Sequence, residues 1–439
     1  MIIDINQDTL AQIKNPYLLA DASRYVNIFN EFKDSISKTG MEIDTRNYSS
    51  EVKEKIAQVK RKGARVRNAD KSVYINRISP ACIACQTGEG AETSYISLLC
   101  NRDCYFCFNE NQQDYEAYSN SKTDYIQHLD HAYHLYGGLK SVGLTGGEPL
   151  LFLEDTIEYF THAKKLAPDA YTRLYTSGYG ISKGVLESLK SVDLDEIRFS
   201  IKLEDENWRK SFDQIALAQE YIPQVMIEMP VEPNLMEPMK ELLTELNRLE
   251  IFGINLLEFL FPYRNADEYK KRGYKIKSRP YKVLYDYFYA GGLPISGSEL
   301  ACLELMEFCL DQAMTIGVHY CSLENKFSSQ IYQQNTNLQL SSIEYISEAD
   351  YFIKTAKVYG EDIEKVIQVF LKEDCQDYEI NLDNNFIEFH VKKISELKEL
   401  DVEIGISTSI VDSDDRGRFI RELKVDLTNP KLFDYQVDL

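Results

Sequence analysis

Three cysteines fall inside eight residues, in the stretch CNRDCYFC, at positions 100, 104 and 107. A thiolate is a soft metal ligand, and closed zinc or iron–sulfur sites take four protein ligands. The spacing C-x3-C-x2-C is one ligand short. Either Cys100, Cys104 and Cys107 hold three irons of a [4Fe–4S] cluster and leave the fourth open to an outside ligand, or a zinc ion borrows a cysteine from elsewhere. Five of the other six cysteines form two groups: Cys82 and Cys85 in SPACIAC, and Cys302, Cys309 and Cys321 between positions 298 and 326. An auxiliary [4Fe–4S] cluster on Cys82, Cys85, Cys321 and Cys309 is the expectation, with a zinc site aided by His319 or separate free thiols as alternatives. Cys375 stands apart. A further motif, LTGGEPLL at 144–151, supplies Gly146 and Gly147, beside which a backbone can approach a ligand closely, and Glu148, which can accept hydrogen bonds from an ammonium group.

These residues need elements to position them. From about residue 93, short apolar runs alternate with helical patterns: SYISLL (94–99), SVGLTGG (141–147), YTRLYTSG (171–178), DEIRFSIK (195–202), QVMIEMPV (224–231) and GINLLEFLF (253–261). Six helix-separated strands predict a parallel α/β sheet closed by right-handed crossovers, whose ligands gather at the carboxyl ends of the strands. The cysteine loop follows the first strand and the double glycine follows the second. Residues 1–75 are expected as a helical N-terminal segment, 76–335 as a (β/α)6 partial barrel of TIM type, and 336–439 as a small α+β appendage with a hairpin turn at Asp383–Asn385.

With both motifs in place, the chain resembles the radical S-adenosylmethionine (SAM) superfamily, whose pattern CxxxCxΦC followed by GGEP reads here as CNRDCYFC and GGEP. The resemblance covers roughly Thr93 to Cys321. It implies a radical SAM barrel in which the open iron binds SAM, and in which reductive cleavage of SAM yields a 5′-deoxyadenosyl radical that abstracts hydrogen from a substrate. It implies that Phe106 lies near the adenine and that Gly146, Gly147 and Glu148 hold the methionine amino group. It offers Thr176 and Ser177, Ser200 and Lys202, and Glu228, at the ends of the third, fourth and fifth strands, as ribose and carboxylate contacts. An electron donor such as flavodoxin or ferredoxin is implied as a partner. The flanks, among them GARVRN, SPACIAC, RGYKIK and VHYCSLENK, are similar to a group described as pyruvate formate-lyase activating enzyme-like. That group usually has a proline after the last cluster cysteine. Here the loop continues as FNENQ, which marks it as a place where substrate is read.

A net charge of −21 argues against bulk electrostatic binding of nucleic acid. The one basic stretch, residues 52–67 with seven Lys or Arg, reads as a solvated helix face before a docking site. No basic region followed by an apolar run opens the chain and no apolar stretch approaches a membrane span, so a cytoplasmic, oxygen-sensitive enzyme is expected. His128, His131 and His134 recur every three residues, a spacing that drifts around a helix and favours packing or solvation over metal. YKVLYDYFYAGG offers a tyrosine wall for a peptide or sugar, and RKSFDQ and PYRNADEYKKRGYK offer charge for an anionic substrate. Modification of a peptide or protein side chain with help from the auxiliary cluster is the first functional expectation. A small-molecule or nucleoside substrate, or activation of a glycyl-radical enzyme, is the alternative.

Overall fold

The computed structural model describes residues 1–112, 114–285 and 291–439. The centre of the tyrosine-rich YKVLYDYFYAGG stretch lies outside the described residues. The described residues form two compact units: one from residues 1–38, 281–285 and 330–439, the other from 39–280 and 291–329.

The larger unit is built on a nine-stranded sheet. In chain order its strands are β1 (Arg65–Arg67), β2 (Ser72–Ile75), β3 (Ala91–Tyr95), β4 (Ser141–Thr145), β5 (Tyr171–Thr176), β6 (Glu196–Phe199), β7 (Gln224–Val231), β8 (Gly253–Glu258) and β9 (Gly317–Cys321). Their order across the sheet is β1-β2-β9-β8-β7-β6-β5-β4-β3. Strands β3 to β8 and β9 run parallel, and the β2–β1 ribbon pairs antiparallel beyond β9. The six expected strands are present in sequence order, in a mainly parallel α/β sheet consistent with a partial TIM-type barrel. The seventh parallel strand, β9, carries Cys321.

Alternation along the strands sorts the chemistry. Val142 and Leu144, Leu174, Ile197 and Phe199, Val225 and Ile227, Ile254 and Leu256, and Val318 and Tyr320 join one apolar core with helix residues such as Tyr159, Phe160, Leu242 and Leu246. Each fully buried side chain of this size contributes about 1.5–3 kcal/mol, so packing rather than helix propensity holds the outer layer. The intervening residues, pointing to the other face, are polar: Ser141, Arg173, Glu196, Arg198, Glu228, Asn255 and His319. The crossover helices start and stop where local chemistry dictates. Asp124 accepts from Gln127 N–H to begin Tyr125–Tyr136, and Gly137, at φ +66°, ends it. Among the described residues no helix is long and apolar enough to cross a membrane.

The first strand ends earlier than expected. Past Tyr95 the chain leaves the ladder, because Ser97 and Leu99 turn their carbonyls to the amides of Gly147 and Glu148 and Leu98 N–H bonds Tyr118.

In the second unit an antiparallel sheet holds β10 (Ile353–Tyr359), β11 (Tyr378–Asn381), β12 (Phe386–Phe389), β13 (Ile404–Asp414) and β14 (Gly417–Thr428), in the order β11-β12-β10-β13-β14. The expected turn at Asp383–Asn385 connects β11 to β12, with Asn385 at φ +52°. The helical N-terminal segment is divided differently from the expectation of one piece over 1–75. Leu18, Ala22 and Val26 of helix Pro16–Ser37 pack with Tyr359, Phe386, Val425 and Leu427, so residues 1–38 belong with the C-terminal sheet. Helix Ser49–Arg61 instead packs with the barrel, burying Val52, Ile56 and Val59 in its core. Two lysines of the basic stretch, Lys55 and Lys62, pair with Glu307 at 2.7 and 2.6 Å. That stretch is a helix face engaged in ion pairs.

Candidate active site at the strand ends

Cys100, Cys104 and Cys107 sit on the loop that leaves β3, and backbone contact with the double glycine shapes that loop. Gly147 N–H donates to Ser97 O at 3.1 Å and Glu148 N–H to Leu99 O at 2.9 Å. A Cβ on Gly147 would stand 1.9 Å from Leu99 O, and one on Gly146, at φ +115°, 2.7 Å from Ser97 O. Glycine is obligatory at both positions because another backbone occupies the space of a side chain. The three thiols share one neighbourhood. Burial pushes Cys104 up, while nearby Lys202 and Arg102 pull the other way, and burial pushes Cys107 up to about 11. Arg102 donates to Ser177 O at 2.8 Å and Lys202 to Asp103 O at 3.2 Å, tying the loop to the ends of β5 and β6. Lys202 is thereby engaged on the loop, and Ser200 lies exposed at the end of β6 with its N–H on Thr176 O at 2.9 Å.

Glu148 is not free to hold an ammonium group. Its carboxylate accepts from Leu150 N–H (3.1 Å), Thr176 Oγ1 (2.8 Å), Ser177 N–H (2.7 Å) and Ser177 Oγ (2.6 Å). A carboxylate has about four acceptor sites, so these donors saturate it, and the residue is 1% exposed. The expected cofactor contacts Glu148, Thr176 and Ser177 are brought together as a brace between the ends of β4 and β5. Their side chains spend their polar atoms on one another.

Aromatic packing anchors the other end of the loop. Tyr105 Oη donates to Glu232 at 2.6 Å, as does Tyr274 Oη at 2.8 Å, and the Arg272 guanidinium lies 4.2 Å from the Tyr105 ring centre. Phe106 packs edge-on to Tyr105 and Phe259, with ring centres 5.1 and 5.9 Å away. Sequence reasoning missed Glu232, which follows the fifth expected strand, Phe259, which lies within the sixth, and Tyr274, which sits in a stretch noted for its charges. The FNENQ segment proves to be clasping rather than free. Asn109 Nδ2 donates to Gly146 O (2.7 Å), Asn111 Nδ2 to Pro262 O and Gly291 O (2.9 Å each), and Glu110 pairs with Arg264 at 2.5 Å. Several of the charges offered to an anionic substrate are likewise paired: Arg272 with Glu204 and Glu268, Lys270 with Asp267, Lys275 with Glu42, Arg209 with Glu241. His128, His131 and His134 are exposed on their helix.

A second thiol set comprises the half-buried Cys82 and Cys321 and the exposed Cys85. Cys82 and Cys85 follow Ser79 on the short helix Pro80–Ala84 and its end, and Cys321 closes β9. Cys321 feels the charges of Cys85 and Cys82. Cys309 does not join them. It is fully buried in helix Ser298–Asp311, and apolar burial alone pushes its thiol up to about 12, as for a core hydrophobe. Glu228 is also redirected from its expected SAM contact. It bonds Arg198 (2.5 Å) and Asn255 Nδ2 (2.6 Å) on the inner face. His319 is not available as a ligand, since its ring nitrogens bond Ser72 Oγ (2.8 Å) and Asn255 Oδ1 (3.0 Å) and burial lowers it to about 3. Among the described residues no three His, Cys, Asp or Glu side chains converge on a point as a single-ion site requires. In a four-iron cluster each thiolate takes a different iron, so sulfur atoms need not converge.

Residues 94–246 match the model of the radical SAM superfamily, a superfamily of enzymes whose cofactors are a [4Fe–4S] cluster and SAM. A protein of Methanocaldococcus jannaschii, named as a candidate glycyl-radical enzyme activating enzyme, is 27% identical over 325 residues, covering 71% of this chain and 81% of that one. Among solved structures, SuiB of Streptococcus suis, bound to the precursor peptide SuiA, matches 57% of this chain and 52% of its own with 17% identity and a TM-score of 0.38. The enzyme anSMEcpe with bound AdoMet and Cp18Cys peptide matches 39% of this chain and 50% of its own, with 18% identity and a TM-score of 0.32. This chain thus spans about half the length of these solved structures, and superpositions of that quality do not bear on substrate.

Proposed function

We propose that this radical SAM enzyme abstracts hydrogen from a polypeptide side chain and draws on a second iron–sulfur centre held by Cys82, Cys85 and Cys321. The observation that carries the reading is one barrel with two thiol sets: three on the glycine-cradled loop at the strand ends, and Cys82, Cys85 and Cys321 near one another elsewhere. Cys100, Cys104 and Cys107 would hold three irons of the SAM-binding cluster, which fits a donor set of three soft ligands on a loop that closes against bare glycine backbone. Bound there, the reduced cluster and SAM supply a 5′-deoxyadenosyl radical. The chain's own residues do the positioning. Gly146 and Gly147 present backbone rather than side chain to the cofactor, and Phe106 with Phe259 offers an apolar wall that excludes water. Glu148, Thr176 and Ser177 hold the strand ends rigid from behind. Ser200 stays a candidate ribose contact, and a flavodoxin or ferredoxin would deliver electrons. Support for a polypeptide substrate comes from edge strand β11, whose outer side pairs with no described strand and suits strand addition by an extended chain.

The test is anaerobic reconstitution followed by dithionite and SAM. Wild type is expected to form 5′-deoxyadenosine and Cys104→Ala none; equal product from both would overturn the assignment. Deuterium carried from a side-chain-deuterated peptide into 5′-deoxyadenosine identifies the substrate class. In the same preparations Cys321→Ala is expected to lose iron while Cys309→Ala keeps it; the reverse would return Cys309 to the ligand set. The second reading, activation of a glycyl-radical enzyme, is favoured by the name of the Methanocaldococcus relative. It predicts a glycyl radical signal on a partner protein instead of deuterium transfer from a peptide.

A further inference from the structure

The buried Cys309 and the half-buried Cys82 and Cys321 differ in what surrounds the sulfur. Cys309 is packed by apolar groups, and burial is the only influence on its thiol. Cys82 Sγ, by contrast, receives Arg198 Nη2 at 3.5 Å and Asn255 Nδ2 at 3.4 Å, and Cys321 Sγ receives Asn325 Nδ2 at 3.2 Å. A neutral thiol is a weak acceptor with no need of such donors, whereas thiolate sulfur in a cluster is stabilised by them.

The charges around Arg198 point the same way. Arg198 is 3% exposed and pairs with Glu196 and Glu228 at 2.5 Å each. Arg173 is 6% exposed and among the described residues bonds hydroxyls: Tyr175 (3.1 Å), Ser141 (2.9 Å) and Thr93 (2.9 Å). Tyr175 Oη also receives Arg198 Nη1 at 3.2 Å, so two guanidinium groups share one phenol. Two arginines face two carboxylates, and Lys326 adds a positive charge felt by Glu228 and Cys321. Of these cations Arg198 is the one with an N–H on a sulfur, that of Cys82.

We infer that Arg198 sets the reduction potential of an iron–sulfur centre on Cys82, Cys85 and Cys321, as a charged N–H donor to the Cys82 thiolate, with Asn325 as a weaker neutral donor at Cys321. The inference rests on the auxiliary-centre reading given above. Reduction adds one electron and no proton to the centre, and a cationic donor favours the more negative state. Arg198 is a positioning and tuning residue that acts through the sulfur ligand.

The test uses the full-length chain carrying Cys100→Ala, Cys104→Ala and Cys107→Ala, reconstituted anaerobically with iron and sulfide, so that only the second centre remains. About four irons per chain are expected; no bound iron would sink the auxiliary-centre reading itself. Potentiometric titration followed by EPR then compares that protein with versions also carrying Arg198→Met or Asn325→Ala. Arg198→Met is expected to lower the equilibrium constant for reduction at least tenfold, about 59 mV for a one-electron couple. Asn325→Ala, which removes no ion from the interior, should shift it in the same direction by a smaller factor. Iron retained with an unchanged potential in both variants would overturn the inference while leaving the second centre standing. Should Arg198→Met not fold, the Asn325→Ala potential decides alone.

Discussion

Gly147→Ala is expected to yield a folded protein that does not retain the SAM-binding cluster. The added methyl would stand 1.9 Å from Leu99 O and 2.6 Å from Leu98 O, and both are backbone atoms with no rotamer to change. The core of strands and helices lies elsewhere, so the conflict is relieved by the cysteine loop moving off the glycine pair. The loss should exceed that from replacing any single residue at the strand ends other than a cysteine: no detectable 5′-deoxyadenosine and roughly half the wild-type iron if the second centre survives, since each [4Fe–4S] centre holds about four irons. Far-UV circular dichroism checks the fold, iron analysis the loading. An active Gly147→Ala enzyme with full iron would mean that the loop does not need this contact.

Glu148→Ala should produce the largest loss of stability at the site. Four donors converge on that carboxylate, two from Ser177 and one each from Thr176 and Leu150, in a place that water barely reaches. Stranding even one buried donor costs about 1–3 kcal/mol, and the variant strands several at once while opening a cavity. A drop of about 3 kcal/mol or more in urea unfolding of the apoprotein is expected. Glu148→Gln keeps one oxygen but points an amide donor at groups that are themselves donors, so it should fall between wild type and alanine. If instead both variants unfold like wild type and only SAM affinity changes, Glu148 is a cofactor contact after all and the brace is incidental.

Local spacing carried a great deal. The cysteine triad, the double glycine and the six parallel strands are all short-range patterns, and each is present where its pattern lies. What stayed out of reach was partnership at long range. Nothing in the spacing of Glu148 tells that Thr176 and Ser177 will saturate it. The helical placement of Cys309 is compatible with either ligand or core, and only the packing of helix Ser298–Asp311 decides for core. Strand β9 was hidden because VHYC was read for its histidine and cysteine, although its alternation places Val318 and Tyr320 outward and His319 and Cys321 inward. The N-terminal segment divides at residue 38 because two helices of similar composition find different apolar surfaces to cover.

The clasp on the cysteine loop also has a consequence in time. Asn111 closes on carbonyls of Pro262 and Gly291, Asn265 Nδ2 holds Tyr105 O at 3.0 Å, and Glu232 secures the Tyr105 ring. The double glycine follows the loop within about fifty residues, but the groups that close this clasp are made more than a hundred residues later. A chain still emerging from the ribosome therefore exposes Cys100, Cys104 and Cys107 as loose thiols. The clasp around the three thiols is complete only once residue 291 has been made.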